Sequence, residues 1–125
     1  MILIIGGAYQ GKLEYAKNEY LLTDGDVFFC ENETYIDTSK HIVYELEKLI
    51  FNRMKSGLES EKYIASLKSE LDGAIIIVSD ISCGVVPIDA DVREWRECVG
   101  RVCAMLARSA ERVIRIFCGL PQVIK

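Results

Sequence analysis

The sequence predicts an α/β fold, a mostly parallel sheet with helices on both of its faces. Three observations carry this. Unbroken apolar runs of strand length recur at residues 1–5, 27–30 and 74–78, and a mainly apolar one at 113–118. Between them lie longer stretches whose apolar residues return at helical spacing. The run Ala74-Ile75-Ile76-Ile77-Val78 shows no alternation, which suits a strand buried on both faces of a parallel sheet. Strands that alternate with helices imply βαβ crossovers and a sheet covered on either side.

The chain has 125 residues, half of them hydrophobic, which is one globular domain, residues 1–125, with a real core. Its formal net charge of −4 gives no basic footprint for nucleic acid. No apolar run reaches membrane-spanning length, and residues 1–5 have neither the length nor the basic flank of a signal peptide. A cytoplasmic location follows by default. The cysteines, Cys30, Cys83, Cys98, Cys103 and Cys118, are odd in number and form no C-x-x-C pair. They read as free thiols, with Cys30 and Cys118 as small hydrophobes inside apolar runs. One histidine and no ligand-spaced cluster argue against a metal centre built from cysteine or histidine.

The first element is a strand at residues 1–5, followed by Gly6, Gly7, Ala8, Tyr9, Gln10, Gly11 and Lys12, then by helix formers from Leu13 to about Leu22. The spacing from Gly6 to Lys12 is G-x-x-x-x-G-K, the pattern of a phosphate-binding loop between a strand and a helix. Glycines let successive N–H groups point at one anion, and the helix aims its positive end at the same place. Lys12 would reach the β- and γ-phosphates. Residues Gly6 to Leu13 are therefore the candidate nucleotide-binding set, for ATP or GTP. Leu13 stands where the pattern has a Ser or Thr hydroxyl for Mg²⁺, so a magnesium ion would need another ligand.

Residues 23–26 form a turn cluster, 27–30 a second strand and 31–34 a polar loop. Asp37, Thr38 or Ser39 could cap the next element. Ile42, Val43, Leu46, Leu49, Ile50 and Met54 share one helical face, so residues 39–55 are expected to form an amphipathic helix that Gly57 ends. A second helical stretch runs over 58–71, with Tyr63, Ile64, Leu67 and Leu71 on its stripe. The strand 74–78 follows, ending at Ser79-Asp80. A loop over 81–90 holds Cys83, Gly84 and Pro87, and a long helix starts near Asp89 to Asp91. Its stripe is Val92, Trp95, Val99, Val102, Cys103, Leu106 and Ala110; the charges lie largely off it, with Arg96 at its border. Residues 113–118 are the fourth strand expected, and 119–125 a turn with a short terminal strand.

In a parallel sheet, ligands sit beyond the carboxyl ends of the strands. The glycine loop, Glu31 and Asp80 all fall at such ends. An acid there is what a phosphate loop needs to hold a magnesium-bound water. Asp80 is the first candidate for that metal and for catalysis beside Lys12; Glu31 is the second, because VFFCE also ends a strand with an acid. His41, the sole histidine, reads as a residue in the first turn of the 39–55 helix and not as a nucleophile. Cys83 has no charged neighbour to activate its thiol.

These residues resemble the bifunctional adenosylcobinamide kinase/adenosylcobinamide-phosphate guanylyltransferase family of cobalamin biosynthesis. MILIIGGAYQGK looks like that family's strand and G-G-x-x-S-G-K-S loop. VSDISCGVVP resembles its V-S-N-E-V-G-x-G-I-V-P segment, and REWRECVGRVCAMLA its R-x-x-R-D-x-x-G-R-x-N-Q-x-L-A helix. GLPQVIK matches its terminus. The resemblance implies a P-loop NTPase fold of RecA-like type, a nucleotide and a corrinoid as partners, and self-association into a homo-oligomer, in which the 39–55 stripe could be interface. Departures accompany it. Gln10 replaces Ser, Leu13 replaces Ser or Thr, Asp80 replaces Asn without the Glu that follows it, and Cys103-Ala104 replace Asn-Gln. The middle of the chain is much shorter, and the H-H-x-x-R-P-like context of the guanylylated histidine has no counterpart; His41 does not match it. Three readings follow: a cobinamide kinase without the guanylyltransferase step, a nucleotide- or partner-binding relative without turnover, and a scaffold whose loop is only a turn. Nucleotide titration with and without Mg²⁺ separates them.

Overall fold

A computed structural model describes residues 1–81 and 89–125. The expected loop containing Cys83, Gly84 and Pro87 lies outside the described residues. The elements run β1 (Ile2–Gly6), α1 (Lys12–Glu19), β2 (Val27–Phe29), β3 (Ile42–Tyr44), α2 (Leu46–Lys55), α3 (Glu61–Ser66), β4 (Ile75–Ser79), α4 (Ala90–Ser109), β5 (Arg112–Phe117) and β6 (Leu120–Val123). Six strands form one sheet in the order β2-β3-β4-β1-β5-β6. The first five are parallel to their neighbours, and only the edge strand β6 pairs antiparallel, with β5. This is the α/β, mostly parallel architecture that the apolar runs imply.

Strand alternation sorts the core into two layers. Leu3, Val43, Ile76, Val78 and Val113 face one side, where Leu46, Leu49 and Ile50 of α2, Ile64 of α3, and Val99, Val102 and Leu106 of α4 pack on them. Ile4, Ile42, Ile75, Ile77, Ile114 and Ile116 face the other, covered by Ala16 and the half-buried Leu13, Tyr15 and Tyr20 of the α1 segment. The central strands β4 and β1 are thus buried on both faces, which is why their sequences carry no polar alternation. Asp89 caps α4: its carboxylate accepts from the N–H groups of Asp91 at 2.8 Å and Val92 at 3.3 Å.

One element differs from the sequence reading. The expected helix over 39–55 is a strand followed by a helix. Ile42-Val43-Tyr44 is β3, seated between β2 and β4, and the helix begins only at Leu46. Both Ile42 and Val43 are β-branched and fully buried, so the sheet takes them from a helical spacing they also satisfy. Glu45 joins the two elements in a left-handed conformation, φ 64°, without the glycine that usually marks such a break. The stripe of this segment is inside the chain's own core, so it is not an interface between copies. The helix expected over 58–71 is shorter, Glu61–Ser66, and continues as turns to Gly73. Cys118 is not a core hydrophobe: it is exposed in the β5–β6 turn, whereas Cys30 is fully buried.

Candidate active site

Parallel pairing brings the carboxyl ends of β1, β2, β3 and β4 to one edge of the sheet. β1 ends at Gly6, where a side chain would force the strands apart: a Cβ would lie 2.5 Å from the carbonyl oxygen of Ile116 on β5. The chain then turns through residues 7–11. Tyr9 takes a positive φ of 59° and stands fully exposed at the loop tip. Gly11 has φ 85° and is the N-cap of α1, with no side chain capping that end. The first N–H groups of α1 are thereby left for an external anion.

Lys12 lies under this loop, 5 % exposed, with Nζ donating to the Gly7 carbonyl at 2.6 Å. Burial pushes its ammonium below the ordinary lysine range, while the carboxylates of Glu47 and Glu45 act in the opposite direction. Glu47 is 3 % exposed in the first turn of α2, and its Oε1 accepts from the Ser79 N–H at the end of β4 at 2.8 Å. Burial raises its carboxyl above the ordinary range; the Ser79 hydrogen bond opposes that. The Glu47 carbonyl accepts from Trp95 Nε1 at 2.7 Å, so α4 fixes the start of α2. Glu45 pairs with Lys48. Between the glycine loop and this acidic turn is an open cleft of about 630 Å³, lined by residues 8–14, Tyr44, Glu45, Glu47, Lys48, Ser79, Ile81 and Trp95. A glycine loop, a buried lysine and two carboxylates thus share one concave site at the strand ends.

The segment from Glu45 to Ile124 matches the family model described as cobinamide kinase / cobinamide phosphate guanyltransferase. The chain belongs to that family. A search among curated proteins found no match. The family match spans nearly two thirds of the chain and takes in the acidic turn, β4, α4 and the terminal hairpin. It begins after the glycine loop. The two activities of the cobinamide kinase/guanyltransferase family act on corrinoids in cobalamin biosynthesis and take nucleoside triphosphates.

The other residues singled out in the sequence fall in different places. Asp80 is exposed at the end of β4, and its N–H donates to the Gly6 carbonyl at 2.7 Å, fastening β4 to the point where the glycine loop begins. Its side chain lines a neighbouring cleft of about 220 Å³ with Ile5, Arg96 and Cys103, against α4. Cys103 is half-buried there, and burial first, then Asp80 and Glu47, push its thiol up to about 11. Glu31 lies beyond β2, two strands further from β1. Its exposed carboxylate is 4.0 Å from Lys48 and does not line the main cleft. Leu13 is half-buried and packs its apolar side chain against the α1 core layer. Gln10 Oε1 accepts from the Cys118 N–H at 2.5 Å.

His41 is not in a helix. It precedes β3 at the amino ends of the strands, mostly exposed, with Nδ1 3.0 Å from Asp26 Oδ1. The whole length of β3 separates it from the cleft.

Glu45 and Glu47 are the site residues that sequence reasoning missed. The signal was present: Ile42-Val43-Tyr44-Glu45 is an apolar strand ending in an acid, the same pattern that singles out Glu31 and Asp80. A three-residue strand merged with the helical spacing that follows it hides that pattern.

Proposed function

We propose that this chain binds ATP or GTP through the glycine loop and acts as a cobinamide kinase, moving the γ-phosphoryl group to a hydroxyl of a corrinoid. The observation that carries this reading is the single cleft in which residues 8–13 of the loop face Glu45 and Glu47. The loop amides and the start of α1 would cradle the phosphates, and Lys12 would exchange the Gly7 carbonyl for a phosphate oxygen. Asp80, at the adjacent strand end, remains a candidate acid for catalysis beside Lys12 and for the magnesium ion.

A magnesium ion fits the donor set. Magnesium is commonly held by one or two carboxylates together with phosphate oxygens and water. Glu45 and Glu47 supply those carboxylates in the cleft, although Leu13 offers no oxygen. When bound, the ion would neutralise charge on the phosphates. The Glu31 alternative for this role has only its position at a strand end in support.

Transfer of a guanylyl group through a histidine has no support in this chain. Its sole histidine is bonded to Asp26 at the far end of β3. The self-association that the family resemblance implies would use a surface other than the buried stripe of α2.

A second reading, binding without turnover, is favoured by one observation: Leu13 puts an apolar, half-buried side chain at the position where a magnesium-holding hydroxyl is expected. Calorimetric titration of ATP and GTP, each with and without Mg²⁺, separates the two. Magnesium-dependent micromolar binding that Lys12→Ala removes supports the kinase and warrants a corrinoid phosphorylation assay. Binding indifferent to magnesium supports the second reading. No binding at millimolar nucleotide sinks both.

A further inference from the structure

We infer that the Cys118–Gly119 turn between β5 and β6 positions the phosphate loop, with Gln10 as the positioning residue that joins them. The inference rests on the nucleotide reading above and adds the element that holds the loop in shape. Gln10 is tied to the turn twice. Its side-chain Oε1 accepts from the Cys118 N–H at 2.5 Å, and its main-chain carbonyl accepts from the Gly119 N–H at 2.9 Å. Next to it, a Cβ on Gly11 would meet the Gly119 Cα at 3.5 Å, so the turn lies directly against the end of the loop.

The turn is built to present those two N–H groups. Phe117 pairs with Leu120, which leaves a two-residue connection, and both residues take positive φ, 52° at Cys118 and 76° at Gly119. Glycine accepts that conformation freely, whereas cysteine adopts it at a cost. The N–H delivered by this strained cysteine is the one Gln10 accepts.

The main-chain bond has a geometric consequence for the loop. A trans peptide points its C=O and its N–H in opposite directions. Holding the Gln10 carbonyl toward the hairpin therefore turns the Gly11 N–H away from it, on the loop's own side. The two bonds set the orientation of the last peptide before α1, which a phosphate loop needs fixed in advance. The same contacts give the terminal GLPQVIK segment a role that its exposed position on an edge strand does not otherwise explain.

Coupling of this kind is reciprocal: if the hairpin holds the loop for nucleotide, nucleotide must steady the hairpin. The test combines ATP and GTP titration of the unmodified protein, Gln10→Ala and Gln10→Met with amide hydrogen exchange at Cys118 and Gly119. Both variants should bind roughly five- to tenfold more weakly with a nearly unchanged melting temperature, and added nucleotide should slow exchange at both amides of the unmodified protein. Affinities within twofold of the unmodified protein overturn the inference. So does weaker binding by the variants when hairpin exchange in the unmodified protein ignores nucleotide, because Gln10 would then touch the phosphate itself. Failure of the unmodified protein to bind any nucleotide is a different result: it removes the nucleotide reading, and the positioning role falls with it.

Discussion

Replacing Gly6 with alanine tests whether the glycine loop starts where it does because of the sheet. The added Cβ would stand 2.5 Å from the Ile116 carbonyl oxygen, inside the 3.0 Å that real Cβ atoms essentially never breach. β1 and β5 must part by about half an ångström at that point. The gap opens beside Ile4, Ile114 and Ile116, all essentially fully buried, so the layer cannot relax without loosening contacts. Overpacking of this kind costs about 1–3 kcal/mol, and lengthening one ladder hydrogen bond adds about 1 kcal/mol. A loss of about 2–4 kcal/mol should lower the melting temperature by roughly 8–15 °C in a chain of this size. Urea unfolding with an unchanged slope, alongside thermal melts, measures it. Gly7→Ala is the control: its Cβ meets only the Gln10 side chain, at an ordinary 3.5 Å, and stability should move by less than about 1 kcal/mol. Equal stability of the two variants would refute the close approach of β1 to β5 and the reasoning built on it.

Glu47→Gln keeps an acceptor for the Ser79 N–H and removes a buried charge, so it should alter how stability depends on pH. The folded carboxyl sits above its ordinary 4.5, so Glu47 favours folding below that value and the benefit disappears as pH rises through the raised folded value. The variant should lack that decline, and denaturation curves from pH 4 upward that are parallel for both proteins would contradict it. Leu13→Ser should make ATP or GTP binding several-fold tighter with Mg²⁺ than without, while costing about 1–2 kcal/mol of core packing; identical titrations with and without the ion would count against a magnesium role here. Arg53 is 4 % exposed, donates to the carbonyls of Thr34 and Glu59, and lies 3.9 Å over the Tyr63 ring. Arg53→Met should destabilise by about 3 kcal/mol in urea titration, and a loss under 1 kcal/mol would show that water replaces those bonds easily.

Arg53 shows one limit of reading this fold from sequence. Apolar pattern located β1 and β4, because a long strand buried on both faces needs an unbroken apolar run. The same pattern says nothing about a buried arginine, since its burial depends on the carbonyls of Thr34 and Glu59, which hydrophobic spacing does not report. β3 shows the second limit. Ile42, Val43, Leu46, Leu49 and Ile50 are all fully buried, so the set of core residues was legible while the element carrying the first two was not. Hydrophobic spacing reports which side chains leave water. It reports the backbone only when the run is long enough for the helical and strand periods to diverge, and three residues are too few.

The consequence for the site is larger than the misplacement of three residues. A helix over 39–55 would have put Glu45 and Glu47 mid-helix, with no reason to face Lys12. A strand ending at Tyr44 puts them at the edge where β1 delivers the glycine loop. The sequence pattern points to acids at the ends of the 27–30 and 74–78 strands, Glu31 and Asp80. Asp80 fastens β4 to β1 through its N–H, and Glu31 approaches Lys48 outside the main cleft. The strand between them brings the carboxylates that line the cleft. Lys12 and Glu47 are both buried and of opposite charge, and Glu47 pulls the lysine's ammonium back toward its charged form. That attraction opposes the burial that pushes the ammonium down, and so helps hold a cation beneath the glycine loop.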